Sequence, residues 1–411
     1  MVYDLIIIGA GAAGLFAAAN APANCNTLLL EKEKKPGQKL LLTGSGQCNL
    51  TNNHPIAEFL SAYGENGKRL RPVLFPFSNL ALMAYFEDRG LPLEARPDGK
   101  VFPRLKKSRQ VLDFFLSACQ TRGVEIRYGS AVTEITPQAA SDGGRFRLMT
   151  EKAGPLLARR VLVATGGASY PNTGSDGAFF SCLSRLGISL VPRRPALTPI
   201  FVHSYPYVAL SGISFSDCAI SIAPKDGVAP IHGRGDLLLT HRGFSGPLIL
   251  AHSRYVTQGD RLTIHYLPGQ NQDELRRALL AEAAGNSQQI LTLLETLTRL
   301  PRRFLEQICQ RTHGIAHRKA SSLSGKEMGE LSRLLTADSY EISGTGGFST
   351  AMVTSGGVSL DEVNLRTMEA RRYPGLYFAG EVLDVDGDTG GYNLQFAFSS
   401  AMGSLRAMAA S

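Results

Sequence analysis

Three glycines near the start of the chain are spaced for one kind of chemistry. Gly9-Ala10-Gly11-Ala12-Ala13-Gly14 follows the apolar run YDLIII at 3–8. Gly9 permits a tight turn, Gly11 leaves room for a pyrophosphate against the backbone, and Gly14 lets the next helix pack closely on a sheet. The helix N-terminus then favours the phosphate charge. Glu31 stands about 20 residues further on, where a carboxylate accepts hydrogen bonds from a ribose hydroxyl. The acid disfavours a 2′-phosphate, so the expected dinucleotide is FAD or NAD and not NADP. A purely structural glycine turn is the alternative.

The other end of the chain decides between the two. Gly375-Leu376-Tyr377-Phe378-Ala379-Gly380-Glu381 reads as a strand ending in Gly-Glu, and Thr389-Gly390-Gly391-Tyr392-Asn393-Leu394-Gln395 as a turn into a helix. A carboxylate after such a strand can hold a ribityl chain. The paired glycines let a helix N-terminus approach a flavin pyrimidine, where its N–H groups stabilise negative charge on the reduced ring. Paired glycines at both chain ends favour FAD over an ordinary strand-turn-helix.

The elements that must position these residues follow from periodicity. Residues 3–8 and 27–30 read as buried parallel strands around an alanine-rich helix at 12–21, a β-α-β unit. Residues 32–55 form a glycine-rich and polar stretch, too long for a plain connection. Helical patterns lie near 78–90 and 108–122, strand-like alternation at 124–135 and 145–150, and further buried strands at 161–164 and 376–379. From VPRRP at 191–195 the texture changes to short alternating strands, among them 218–223 and 261–266. Residues 272–336 are helical in composition, with Pro301 placed to open a helix. The simplest account is an insertion at 192–343 within one nucleotide-binding domain.

With these motifs in place, the chain resembles the BaiN-like, or aminoacetone-oxidase-like, family of bacterial FAD-dependent oxidoreductases. The matching stretches are IIIGAGAAGL at 6–15, KPGQKLLLTGSGQCNLTN at 35–52, ATGGASYPNTGSDG at 164–177, LLLTHRGFSGPLIL at 237–250 and the long segment 353–401. The resemblance implies an α/β fold: a Rossmann-type FAD-binding domain interrupted by an inserted antiparallel β-barrel subdomain and a small helical subdomain. The expected boundaries are 1–191 and 344–411 for the FAD-binding domain, 192–270 plus 337–343 for the barrel, and 271–336 for the helices. Three positions depart from the family pattern: Gln47 where arginine is usual, Phe398 for a common tryptophan, and Ala401 for a common glycine.

The resemblance also places the 43–52 loop against the flavin. Beyond the glycine motif and Glu31, the expected cofactor contacts are Lys32, Lys39, Thr43, Gly46, Cys48 and Asn49 early in the chain. Val132, Thr165 and Gly166 follow in the middle. Gly380, Glu381, Gly391, Tyr392, Asn393 and Leu394 complete the set. No catalytic residue is assigned, but three are candidates. Cys48 is either a redox thiol or a small packing residue, and Gln47 supplies no charge to lower its pKa. His241, in His241-Arg242-Gly243-Phe244-Ser245-Gly246-Pro247, is either an acid–base group or part of a turn packing the barrel. Tyr392 could stack on the flavin.

Composition sets the remaining bounds. The 411 residues are 44% hydrophobic and 19% charged, which suits a folded chain of two or three domains. Six cysteines form no C-x-x-C pair, and no metal-spaced cluster is evident, so neither a metal site nor a dithiol relay is expected. A second dinucleotide motif is absent from the sequence. NAD(P)H, as a transient electron donor, would therefore have to use the flavin pocket. The start carries neither a membrane span nor a secretory signal, so a cytoplasmic protein is expected. The net charge of +8 reads first as solvated surface. The expected function is FAD-dependent hydride transfer at flavin N5, in an NAD(P)H-linked reduction of a small organic substrate with no nucleic acid involved. Alternatives are an amine or aminoketone oxidase using oxygen, an RNA-binding flavoprotein in tRNA modification, and a flavin-dependent sensor.

Overall fold

The computed structural model describes residues 2–410 apart from 23, 139–144 and 153. The chain divides into two units, 1–196 with 348–411, and 197–347.

The first unit is built on the predicted β-α-β motif. Val2–Ile8 is paired in parallel with both Thr27–Leu30 and Leu156–Val163, so that Ile6 lies beside Leu28 and Val161. Both faces of these strands are covered, which is why they read as continuous apolar runs. Glu125–Arg127 extends the sheet beyond Thr27–Leu30, and Leu376–Phe378 extends it in parallel beyond Leu156–Val163. Tyr392–Ala410 packs beside the first helix, Ala12–Ala19. Phe16 anchors that layer. Its ring lies 5.1 Å from Tyr85, 5.2 Å from Phe398 and 5.7 Å from Phe77.

The second unit is a closed antiparallel barrel of six strands. Their order is Ile200–Val202, Phe244–Ser245, Ile231–Leu239, Ser214–Ala223, Arg261–His265 and Asp338–Thr345. Four helices lie between the last two strands in sequence: Gln272–Ala283, Ile290–Thr298, Arg302–Arg311 and Gly325–Thr336. Two start with full capping boxes, Asn271 with Glu274 and Ser324 with Glu327, and Pro301 stands at the N-cap of the third. Arg311 ties the helices to the barrel through a two-pronged ion pair with buried Asp338, at 2.8 and 2.9 Å.

Two expected boundaries shift by a few residues. Residues 192–196 belong with the first unit, because Leu190–Ala196 pairs antiparallel with Val353–Val358 there. Residues 344–347 belong with the second, because Gly344 and Thr345 still pair with Phe201 and Ile200. The 32–55 stretch also holds more structure than its composition suggested. It contains a short helix, Gln38–Leu42, and a strand, Thr51–Asn52, which pairs with Lys100–Pro103.

Candidate cofactor site

The three motif glycines have different surroundings. Gly9 has φ +101°, and a Cβ there would stand 2.6 Å from the Ala164 carbonyl oxygen. A Cβ on Gly14 would stand 1.8 Å from the Gly9 oxygen, so helix and strand touch through it. Gly11 is different. It caps the Ala12–Ala19 helix, and a Cβ there meets nothing within 4 Å. The open space beside it belongs to a cavity of about 540 Å³ walled by residues of the first unit. That size falls in the ordinary range for ligand pockets, roughly 300–1,000 Å³.

Glu31 lines this cavity. Its Oε2 accepts from the Ala10 N–H at 2.7 Å and its Oε1 from the Glu33 N–H at 2.9 Å. Burial pushes its carboxyl above the ordinary range, although both amides work in the other direction. Each oxygen keeps a second lone pair for a ligand hydroxyl. In the cavity wall, Lys39 donates to both oxygens of Glu381, and Glu381 also accepts from the Thr354 N–H at 2.7 Å.

Gly390 and Gly391 have φ +129° and +96° and lead into the Tyr392–Ala410 helix. A Cβ on Gly391 would stand 2.5 Å from the Thr51 carbonyl carbon. The glycine therefore lets the start of this helix lie against Thr51–Asn52. Asn393 and Leu394, in its first turn, face the cavity. Asn393 pins the preceding turn by exchanging two 2.8 Å hydrogen bonds with Gly387.

Most expected contacts come together in the cavity wall: Gly9 to Ala13, Glu31, Lys32, Lys39, Thr43, Val132, Thr165, Gly166, Gly380, Glu381, Asn393 and Leu394. Gly14, Gly46, Cys48, Asn49, Gly391 and Tyr392 lie outside that wall. Gly14 and Gly391 serve as spacers. The 44–48 turn is tightly wound, with Gly44, Ser45, Gly46 and Cys48 all at positive φ. Cys48 is fully buried, and burial pushes its thiol up to about 12. The Tyr392 ring packs edge-on against Phe59 at 4.9 Å instead of facing the cavity. His241 lies in the second unit on an exposed turn closed by the Thr240 N–H to the Gly243 carbonyl. Sequence reasoning did not select Ser175, Asp176, Met352 or Val353, which also line the cavity.

The wall carries hydrogen-bonding groups that the protein itself leaves unused. Thr165 Oγ1 and Ser175 Oγ are buried without a partner. Buried polar atoms are seldom left unmatched, so such groups in a cavity wall point to a polar ligand. An open glycine, a ribose-type acid, unmatched hydroxyls and a helix N-terminus together fit FAD. Among the described residues, no group of three or more His, Cys, Asp or Glu side chains is placed to hold a metal ion.

Comparison with known proteins agrees with this geometry. The HI0933-like protein Rossmann domain matches residues 3–406. This chain belongs to the HI0933-like family. It is an FAD-dependent oxidoreductase of the BaiN-like and aminoacetone-oxidase-like kind. One HI0933-like relative, the ribosomal RNA dihydrouridine synthase of Escherichia coli, is 33% identical over 97% of this chain and 96% of its own length. Another, the 3-dehydro-bile acid delta(4,6)-reductase of Clostridium scindens, is 30% identical over 96% of each. The fold is also that of the 3-ketosteroid-delta4-(5alpha)-dehydrogenase of Rhodococcus jostii. That match has a TM-score of 0.51 and 15% identity, and covers 98% of this chain and 97% of the other.

The three departures from the HI0933-like pattern have clear surroundings. Gln47 Oε1 accepts from Arg96 Nη2 at 2.5 Å, and that guanidinium lies 4.0 Å over the Phe102 ring. A positive charge thus stands next to position 47 without being on it. Phe398 is buried against Phe16 and Phe115, and Ala401 is also fully buried. Both are core positions and lie outside the cavity wall.

Proposed function

We propose that this chain saturates a carbon–carbon double bond conjugated to a carbonyl, with hydride drawn from NADH or NADPH. The observation that carries this reading is the shared chemistry in the names of two relatives. Dihydrouridine is uridine with its ring double bond saturated, and that bond is conjugated to a ring carbonyl. A delta(4,6)-reductase acting on a 3-dehydro bile acid saturates double bonds conjugated to a ketone. The substrates differ greatly, whereas the bond type is the same.

Bound FAD supplies a carrier that takes up and gives back hydride at one ring position. The protein's own part is orientation and electrostatics. The first-turn N–H groups of Tyr392–Ala410 have no partners within the helix and favour negative charge at the start of that helix. The Lys39–Glu381 pair fixes part of the cavity wall. Cys48 keeps its proton near neutral pH, which argues against a thiol relay. A nicotinamide donor would bind transiently in the flavin pocket and leave before the acceptor enters.

A second reading has a specific observation in its favour. The acceptor would be a uracil ring within RNA, as the ribosomal RNA relative and the net charge of +8 suggest. Anaerobic bleaching of the yellow protein by NADH or NADPH tests the donor. Recovery of the flavin colour is then followed with a 3-keto-4-ene steroid and, separately, with unmodified ribosomal RNA. Recovery with neither would overturn the enone reading, and bleaching by aminoacetone with peroxide formed in air would replace it with an oxidase.

A further inference from the structure

Ser175 is 7% exposed, lines the cavity, and its Oγ has no hydrogen-bond partner. A Cβ on Gly166 would stand 3.3 Å from that oxygen, so the hydroxyl sits over the turn that follows Leu156–Val163. The neighbouring residues are tied down on separate sides. Asp176 forms an ion pair with Lys32 at 2.7 Å and accepts from the Ala178 N–H at 3.0 Å. Burial opposes the Asp176 charge, but Lys32 and the Ala178 amide outweigh it and hold the carboxyl below its usual range. Gly174, at φ +91°, packs so closely that a Cβ would stand 2.8 Å from Glu33 Cγ. Arg193 Nη1 donates to the Gly177 carbonyl at 3.0 Å.

Resting on the FAD reading above, we propose that residues 173–178 form a strap over the adenosine half of the cofactor. Ser175 Oγ hydrogen-bonds the ribose–pyrophosphate stretch, and Lys32–Asp176 latches the strap beside the ribose acid Glu31. The unmatched hydroxyl supplies the bond. The ion pair, formed between side chains that are 31% and 43% exposed, supplies a contact that solvent and salt can reach. Ser175 is thus a positioning residue for the cofactor and Asp176 a brake on its release.

The test follows flavin fluorescence on dilution of the holoenzyme, for the wild type, Ser175→Ala and Asp176→Asn. Loss of one hydrogen bond to a buried group corresponds to roughly tenfold weaker FAD binding for Ser175→Ala. Asp176→Asn should release FAD several-fold faster, and its rate should lose the salt dependence seen in the wild type. ADP, which carries only the adenosine half, should bind the FAD-free protein roughly tenfold more weakly in Ser175→Ala than in the wild type. Wild-type release rates in both variants, or an ADP affinity of the FAD-free protein unchanged in Ser175→Ala, would overturn the strap. A wild-type chain that binds no FAD would instead overturn the reading beneath it. Asp176→Asn keeps the proposal open to refutation should Ser175→Ala fail to fold.

Discussion

Lys39 Nζ stands 2.7 Å from Glu381 Oε2 and 3.0 Å from Oε1, joining two residues 342 positions apart in sequence. The pair fastens the short Gln38–Leu42 helix to the turn after Leu376–Phe378, with both side chains about one-fifth exposed. Removing one partner leaves the other partly buried and unmatched. Glu381→Gln should therefore cost about 1–3 kcal/mol of stability, less than for a fully buried pair. It should also lower FAD affinity, because the cavity wall that the pair forms part of loosens. Thermal melting with and without FAD measures both. Unchanged melting in both states would deny the pair this role.

Gly11 and Gly14 make opposite predictions although they lie in one motif. Gly14→Ala forces a Cβ to 1.8 Å from the Gly9 carbonyl, so the chain should lose about 3 kcal/mol or more and fold poorly. Gly11→Ala meets no protein atom within 4 Å. Its melting without FAD should stay close to wild type, while FAD affinity falls about tenfold or more as the methyl enters the phosphate space. Flavin content after purification, set beside melting of the stripped protein, separates the two. A Gly11→Ala chain with full flavin would remove the cavity from its proposed place.

Much of this site could be read in the chain because its chemistry dictates local sequence. A tight strand-to-helix turn needs its glycines, and a buried parallel strand needs an unbroken apolar run, so the β-α-β unit and the Gly390-Gly391 turn stood out. Ser175 did not, because an unmatched hydroxyl has no sequence signature. Its only signal was its place in the glycine-rich stretch 164–177. Arg96 beside Gln47 was also hidden, since the two are far apart in sequence and meet only through the Thr51–Asn52 and Lys100–Pro103 pairing. The left-handed Ser45 and Cys48 run against residue preference, so only tertiary packing can impose them. His241 and Tyr392 stand out in the sequence by chemical type alone, which carries no information on where the fold puts them. His241 lies on an exposed barrel turn, and the Tyr392 ring packs on Phe59.

Cys48 should be chemically quiet. With its thiol pushed up to about 12, only about one molecule in 10⁴ carries the thiolate at pH 8. The native protein should resist iodoacetamide at Cys48 across pH 6–9, read by peptide mass spectrometry. Cys48→Ala should leave flavin reduction by nicotinamide within about twofold of wild type, because no electron passes through sulfur. Rapid labelling at pH 7, or loss of reduction in the alanine variant, would restore the redox role.

The second unit offers a test that does not involve the cofactor. Asp338 is 1% exposed in its side chain and receives both guanidinium prongs of Arg311 together with the Tyr207 and Tyr340 hydroxyls. Burial first, and the Asp338 charge second, push the Tyr207 hydroxyl far above its ordinary pKa, so it stays a donor at all working pH values. Asp338→Asn keeps the shape but removes the charge that neutralises Arg311. Breaking a buried pair in this way should cost about 3–5 kcal/mol. Replacing both partners, Arg311→Met with Asp338→Asn, should recover part of that loss, because no uncompensated charge remains. Urea unfolding of the four proteins gives the coupling energy directly. A coupling near zero would mean that this ion pair does not hold the helices to the barrel, leaving that role to other contacts such as Phe304 against Tyr266 and Phe215 and Arg303 and Gln307 on the Ala209 and Pro206 carbonyls.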